Sequence, residues 1–353
     1  MTRLMQVIAG RRHGGAEAFF ERLTLAFVRA GVAQQVLIRR DAERARRLST
    51  GGVEPGELRF GGRLDLATGR RLARHITEFQ PDVVLAWMSR AARFCPPPRA
   101  GDGYLLVARL GGYYDLKYYR HCDHLIGDTR DIVTHLTDQG WPTERAHYLP
   151  NFADSTPAPP VPRADLDTPA EAPLLLALGR LHVNKGFDVL IDALALLPRA
   201  FLWLAGEGPL RAELEAQAQH LGIAGRVRFL GWRTDVGALM AAADIVVCPS
   251  RAEPFGNVVI EAWAHRRPVV AAQSAGPAAL ITPDASGLLV PIDDPPALAA
   301  ALGRLIEDRT LGARLAEGGH AAYLAEFTEQ AVVGGYLDLF RRLTARESEQ
   351  IHH

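Results

Sequence analysis

Lysine is almost missing from this sequence: of 353 residues only Lys117 and Lys185 are lysine, beside 38 arginines. Cysteine is scarce as well. Cys95, Cys122 and Cys248 lie far apart, form no Cys-x-x-Cys pair and are odd in number, so neither a disulfide framework nor a zinc site is suggested. All three are expected in or near a core. No uninterrupted apolar run approaches the roughly 20 residues needed to cross a bilayer. The opening MTRLMQVIAGRRHGG passes from strand-like to loop-like without a signal-peptide cleavage site, so a cytoplasmic protein is expected. Net charge is absent too, with 40 basic and 40 acidic side chains. The balance hides an asymmetry: residues 1–165 carry 24 basic and 18 acidic groups, residues 166–353 carry 16 and 22.

With 48% hydrophobic and 23% charged residues, the chain has ordinary globular composition and enough length for two cores. Its basic first half has two readings, an attraction to an anionic partner such as a glycolipid or the inner leaflet, or scattered solvated arginines. Nucleic acid is not expected as a partner, because the arginines are not interleaved with stacking aromatics.

Short apolar, β-branched runs alternate with amphipathic stretches of helical length, the pattern of βα units feeding parallel sheets. The first half shows such runs at residues 4–9, 35–38, 82–87, 104–108, 124–126 and 147–149, with helix-like segments near 15–30, 68–80 and 130–139. Residues 155–173 hold six prolines and no apolar periodicity, and are expected to form a surface linker. The count then restarts at 174–178, 201–205, 227–230, 245–248, 268–271 and 288–290, and a last helical stretch follows near 329–345. The expected fold class is α/β, two Rossmann-like doubly wound domains over 1–165 and 170–328 with a ligand cleft between them.

Chemistry concentrates in the second half. LLLALGRLHVNKGF places Gly179, Arg180 and Lys185 in the loop leaving the first strand of that domain, where a guanidinium fork and a compact ammonium suit a diphosphate. An ordinary basic loop is the plain alternative. AGEGPL offers Gly206, Glu207 and Gly208 for close backbone approach to a ligand, or forms a simple tight turn. It lacks the third glycine of a dinucleotide fingerprint. In CPSRAEPFGNVVIEAWAHRRPVV, Glu253 and Glu261 flank a turn that becomes a helix near Phe255. Amides of Phe255, Gly256 and Asn257 would then be unpaired at a helix N-terminus and open to phosphate or sugar hydroxyls. Glu261, amid Val258, Val259, Ile260, Ala262 and Trp263, calls for a polar partner.

GRL followed by NKG, then AGEGPL, RVRFLGW, ADIVVCPS and Glu253-x7-Glu261, in that order and spacing, resembles the retaining GT-B glycosyltransferases of family four over most of residues 173–327. The resemblance implies a donor nucleotide-sugar domain at 170–328 and an acceptor domain at 1–165, with the final helix crossing back to the latter. It implies that Arg180 and Lys185 hold the donor diphosphate while the glycosyl bond breaks. By the same likeness Glu261 accepts from ribose hydroxyls, and Glu253, Pro254, Phe255, Gly256, Asn257 and Val258 surround the donor sugar. Phe229, Leu230 and Trp232, within the stretch 228–232, would lie near the base. Gly14 and Gly15 in HGGAE resemble the family's glycine loop. The pattern departs at VARLGGYYDLKYY, where many relatives carry a histidine; Tyr113, Tyr114 and Lys117 are candidates to replace it, or else pack a face and stay solvated.

The expected activity is retaining transfer of a hexose, mannose being one candidate, from a nucleotide-diphosphate sugar to a glycan or anionic glycolipid acceptor. GWRTDV, EPFGNVVIEAWA and GPAALI resemble members that build lipopolysaccharide cores. No cofactor is expected and no metal either, because Arg180, Lys185 and a helix N-terminus stabilise a leaving diphosphate, and His121 with His124 lacks a third ligand. A GT-B sugar-nucleotide epimerase and a non-catalytic nucleotide-sugar binding protein are the alternatives.

Overall fold

The computed structural model describes residues 2–10, 14–62, 65–99 and 102–351, with side chains to residue 345. It divides into two compact units, the first made of residues 1–151 with 329–353, the second of residues 152–328. In unit 1 the strands are β1 (Leu4–Ile8), β2 (Gln34–Arg39), β3 (Gly56–Leu58), β4 (Val83–Trp87), β5 (Leu105–Leu110), β6 (His124–Gly127) and β7 (Ala146–Tyr148). Its helices are α1 (Gly15–Arg29), α2 (Ala42–Thr50), α3 (Leu66–Phe79), α4 (Met88–Phe94) and α5 (Arg130–Asp138). All pairings are parallel, in the order β3-β2-β1-β4-β5-β6-β7. Strands β1, β4 and β5 are buried along their whole length, as a sheet covered on both faces requires.

Unit 2 repeats the plan with β8 (Leu174–Leu178), β9 (Phe201–Ala205), β10 (Val227–Gly231), β11 (Ile245–Cys248), β12 (Val269–Ala272) and β13 (Leu288–Val290). Their order is β10-β9-β8-β11-β12-β13, again parallel throughout. The helices between and after them are α6 (Phe187–Ala195), α7 (Arg211–His220), α8 (Val236–Ala242), α9 (Asn257–Ala264), α10 (Ala275–Leu280), α11 (Pro295–Glu307) and α12 (Arg309–Glu326). Helix starts follow from side-chain caps: Asp41, Asp65, Thr129, Asp294 and Asp308 each accept from a backbone amide three residues on. Two apolar clusters sandwich this sheet, one with Leu190, Leu204 and Leu302, the other with Trp203, Ile260 and Trp263.

Helix α13 (Glu329–Ile351) belongs to unit 1. Its Tyr336 meets Phe27 of α1 edge-on at 5.9 Å, and Glu329 pairs with Arg29. The proline-rich stretch differs from the expected free linker. The chain passes between units at Asn151 and Phe152, ahead of the prolines, and the stretch straps unit 2. Arg163 pairs with Asp244 at 3.0 Å and donates to the Ala242 carbonyl, while Thr168 is buried and takes the Trp203 indole N–H at 2.9 Å. Prolines remove donors but leave these carbonyl, guanidinium and hydroxyl partners intact.

Both sheets reverse direction of winding beside their first strand. In unit 2 the reversal falls between β8 and β11, so the loops leaving these two strands, residues 179–186 and 249–256, border the crevice where open α/β sheets bind ligands.

Candidate functional site in the second unit

The two loops are fastened to each other through backbone. Gly186 has φ 62°, and a Cβ there would collide with the Pro249 carbonyl. Ala252 N–H donates to the Asn184 carbonyl at 3.2 Å, and Arg251 bridges the Val183 carbonyl, Asp188 and Asp293. This clamp brings Lys185 of the first loop against Glu253 of the second.

Lys185 and Glu253 form a hydrogen-bonded ion pair, with side chains 25% and 11% exposed. Burial by itself pushes the ammonium down, but the Glu253 charge and hydrogen bond, with the Glu261 charge behind them, hold it above the usual lysine range. The sequence reading set Lys185 with Arg180 on one loop and gave Lys185 no partner; the structure pairs it with Glu253. Arg180 is exposed and its guanidinium has no hydrogen bond or ion pair among the described residues. Below the pair lies Cys248, buried like Cys95 and Cys122, its thiol pushed up to about 11 by burial and the nearby Glu253 charge.

Helix α9 begins at Asn257, two residues later than expected, so Glu261 stands about one turn inside it. Gly256 caps the helix in the left-handed region without any side-chain cap. Phe255 contributes backbone alone, because its ring is buried against Phe327 at 6.3 Å. Pro254 is exposed, Asn257 and Val258 are half-buried in the first turn, and Glu261 is half-buried.

Gly206 and Gly208 have a structural cause. A Cβ on Gly206 would strike the Gly179 carbonyl, and one on Gly208 the backbone of Leu181. The backbones join through Gly206 N–H to Gly231 O at 2.8 Å and Leu181 N–H to Glu207 O at 3.0 Å. The glycines thus let three loops at the ends of β8, β9 and β10 pack together. Glu207 pairs with Arg211 at 2.9 Å, and Arg211 reaches over the Phe229 ring at 5.8 Å. Leu230 packs on the core, whereas Trp232 is 66% exposed. Arg228 is engaged by the Leu166, Asp167 and Gly225 carbonyls, a strap on the proline-rich stretch. That stretch holds an Asp-x-Asp triplet, Asp165-Leu166-Asp167. No group of three His, Cys, Asp or Glu side chains that could hold a metal occurs among the described residues.

In unit 1, Gly14 caps α1 and Gly15 opens it. Space left by the missing Cβ atoms of Gly10 and Gly14 is filled by the carboxylate of Glu17, a buried acid that sequence reasoning did not single out. Tyr113 donates to Asp131 and meets the His135 ring edge-on at 5.2 Å, its hydroxyl pushed up to about 12 by burial and Asp131. Tyr114 packs on the unit 1 core, and Lys117 pairs with Asp115 at 2.5 Å. His121 faces the Ala92 carbonyl, while His124 faces His147 at 3.1 Å.

Comparison with known proteins gives the family. Residues 172–308 match the model described as glycosyl transferases group 1, and residues 13–156 that of glycosyltransferase family 4. The chain is similar to the lipopolysaccharide core biosynthesis glycosyltransferases LpsD and LpsE of Rhizobium meliloti (strain 1021). Identity is 38% to each, over 94% and 93% of this chain and 96% of both relatives. Among solved structures, that of Anabaena Alr3699/HepE in complex with UDP and glucose superposes with a TM-score of 0.82 at 23% identity, covering 97% of this chain and all of that one. WaaG, a glycosyltransferase involved in lipopolysaccharide biosynthesis, superposes at 0.71 with 19% identity, over 96% and 99% of the two chains. Two parallel Rossmann-like sheets with these neighbours make the fold GT-B, and the chain belongs to the family 4 glycosyltransferases.

Proposed function

We propose that this glycosyltransferase moves a hexose from a nucleoside diphosphate donor to an acceptor of the growing lipopolysaccharide core, with retention and without a metal. Similarity to LpsD and LpsE along nearly the whole chain supports the acceptor class, and the UDP-bound neighbour supports the donor class. The observation that carries the reading is the Lys185–Glu253 pair joining the loops at the carboxyl ends of β8 and β11, with Arg180, which has no hydrogen bond or ion pair among the described residues, on the first of those loops. An ammonium has three protons; one engages Glu253, which leaves others for phosphate oxygens. Arg180 adds a planar fork, and the first amides of α9 add a positive dipole end.

In the proposed reaction the bond from the anomeric carbon to the diphosphate oxygen breaks, and the acceptor oxygen bonds on the same face. The acceptor proton passes to the leaving diphosphate. Charge grows on that diphosphate in the transition state, where fixed cations act most strongly. Glu253 orients Lys185 and Glu261 receives ribose hydroxyls. The work is assigned to the cytoplasmic side, with the basic unit 1 resting on the leaflet. Among the described residues no helix is long and apolar enough to cross a membrane.

Thermal shift with UDP, GDP, ADP and CMP, without metal, tests the reading. A nucleotide at 100 times its Kd stabilises by about 2.7 kcal/mol. One diphosphate should raise the melting temperature, and Glu261→Ala should lose most of that rise. No response to any of the four, or a response that requires Mg2+, overturns the proposed donor grip.

A further inference from the structure

In unit 1 a cavity of about 400 Å3 opens at the carboxyl ends of β1 and β2, lined by Gly10 and residues 39–44. That volume is in the range of small-ligand sites. Three arginines and two acids line it, but the five charges are not equally available. Arg44 is 1% exposed and is held by Glu21 at 2.9 Å and Asp41 at 3.5 Å. Asp41 also caps α2 by accepting from Arg44 N–H, and Glu43 pairs with Arg47 at 3.1 Å. Both acids are therefore engaged by neighbouring arginines, each of which also pairs with Glu21.

Arg39, the last residue of β2, and Arg40 after it are different. Both are exposed, and neither guanidinium makes a hydrogen bond or ion pair among the described residues. Two free guanidinium forks on one concave wall are suited to an oxyanion, which each can grip through paired N–H donors. The position sharpens the argument. At the end of the second strand a dinucleotide-binding domain carries an acid for the ribose hydroxyls. Here that place holds two cations, which cannot accept from ribose hydroxyls and which favour a negative group. The surplus of basic residues over 1–165 has the same sign.

The geometry points to this cavity as the binding site for the phosphate or carboxylate of an anionic saccharide, the acceptor-side substrate. The inference rests on the glycosyl-transfer reading and deepens it by assigning the acceptor's charge to Arg39 and Arg40.

The test uses the full chain, calorimetric titration and thermal shift, with mannose 6-phosphate, glucuronic acid and uncharged methyl mannoside as probes. Wild type is compared with the double variant Arg39→Gln/Arg40→Gln, whose altered side chains are exposed, so its ligand-free melting temperature and its UDP response should match wild type. The expected result is binding of at least one charged probe, none of the uncharged glycoside, and a loss of about tenfold or more in the double variant. Preference between the two charged probes tells phosphate from carboxylate. Undiminished binding in the double variant, equal binding of the uncharged glycoside, or no charged probe bound by wild type overturns the proposal. Charged saccharide bound through Arg39 and Arg40 by a protein that ignores UDP would leave this cavity standing while the donor reading fails.

Discussion

Arg109 Nε donates to the Tyr336 hydroxyl at 2.7 Å, joining strand β5 to helix α13 across 227 positions of sequence. Both side chains are buried. The same guanidinium donates to Asn151 Oδ1 at 2.5 Å and lies 4.7 Å from the Phe19 ring and 4.9 Å from that of Trp87. One buried cation thereby fixes the returning helix and the residue at which the chain leaves unit 1. A buried charge persists only with such partners, and removing one leaves the others exposed to its cost.

Tyr336→Phe removes an acceptor from this buried cation and fills the same space. The expected loss is about 1–3 kcal/mol in denaturant unfolding. Nucleotide binding should be unaffected, since the contact lies wholly in unit 1. A change within experimental scatter would show that Arg109 is satisfied without the hydroxyl.

Gly206→Ala should destabilise by roughly 2 kcal/mol or more, because φ 151° and the Gly179 carbonyl both oppose a side chain there. Gly225→Ala is the control: it has open space and no positive φ, and should be close to neutral. Thermal melts of the two variants decide it. Equal stability would mean that the loops at the ends of β8 and β9 yield easily, and that Gly206 serves a ligand after all.

Most strands were legible because buried parallel strands are written as short apolar runs. Strand β3 was not, since Gly56, Glu57 and Leu58 are too few to show any alternation. Helix α2 was hidden by its polarity: it buries Arg44, a residue that sequence reads as exposed. In the site, residue types and loops were readable, but pairings were not. Lys185 and Glu253 stand 68 positions apart, and the close approach of Gly186 to Pro249 brings them together. Glycines in AGEGPL show the same limit, for a ligand and a neighbouring backbone demand the same missing Cβ.

Lys185→Met should lower turnover by roughly 10²–10³-fold, the effect of losing one fixed group that stabilises transition-state charge. Glu253→Gln should lower it less, because the ammonium keeps a hydrogen-bond acceptor but loses a charge that orients it. Steady-state rates with the donor found by thermal shift provide the measurement. Equal loss in the two variants would assign Glu253 a direct role on the sugar, and no loss in Lys185→Met would remove the ammonium from the mechanism.

The ion pair also sets a pH dependence with a definite sign. Lys185 titrates higher in the folded protein than its ordinary value of 10.5, because Glu253 and Glu261 outweigh burial. The folded state therefore holds that proton more tightly than the unfolded chain does. Its contribution to stability is full below the unfolded value and is lost as pH rises through the folded one. In Glu253→Gln the main favourable charge is gone, and burial pulls the ammonium down instead. The stability gap between wild type and this variant should be constant from about pH 6 to about pH 8 and should close as the solution becomes strongly alkaline. Urea unfolding of both proteins at matched pH measures the gap. A gap that widens with alkalinity would mean that burial, rather than Glu253, governs the Lys185 ammonium.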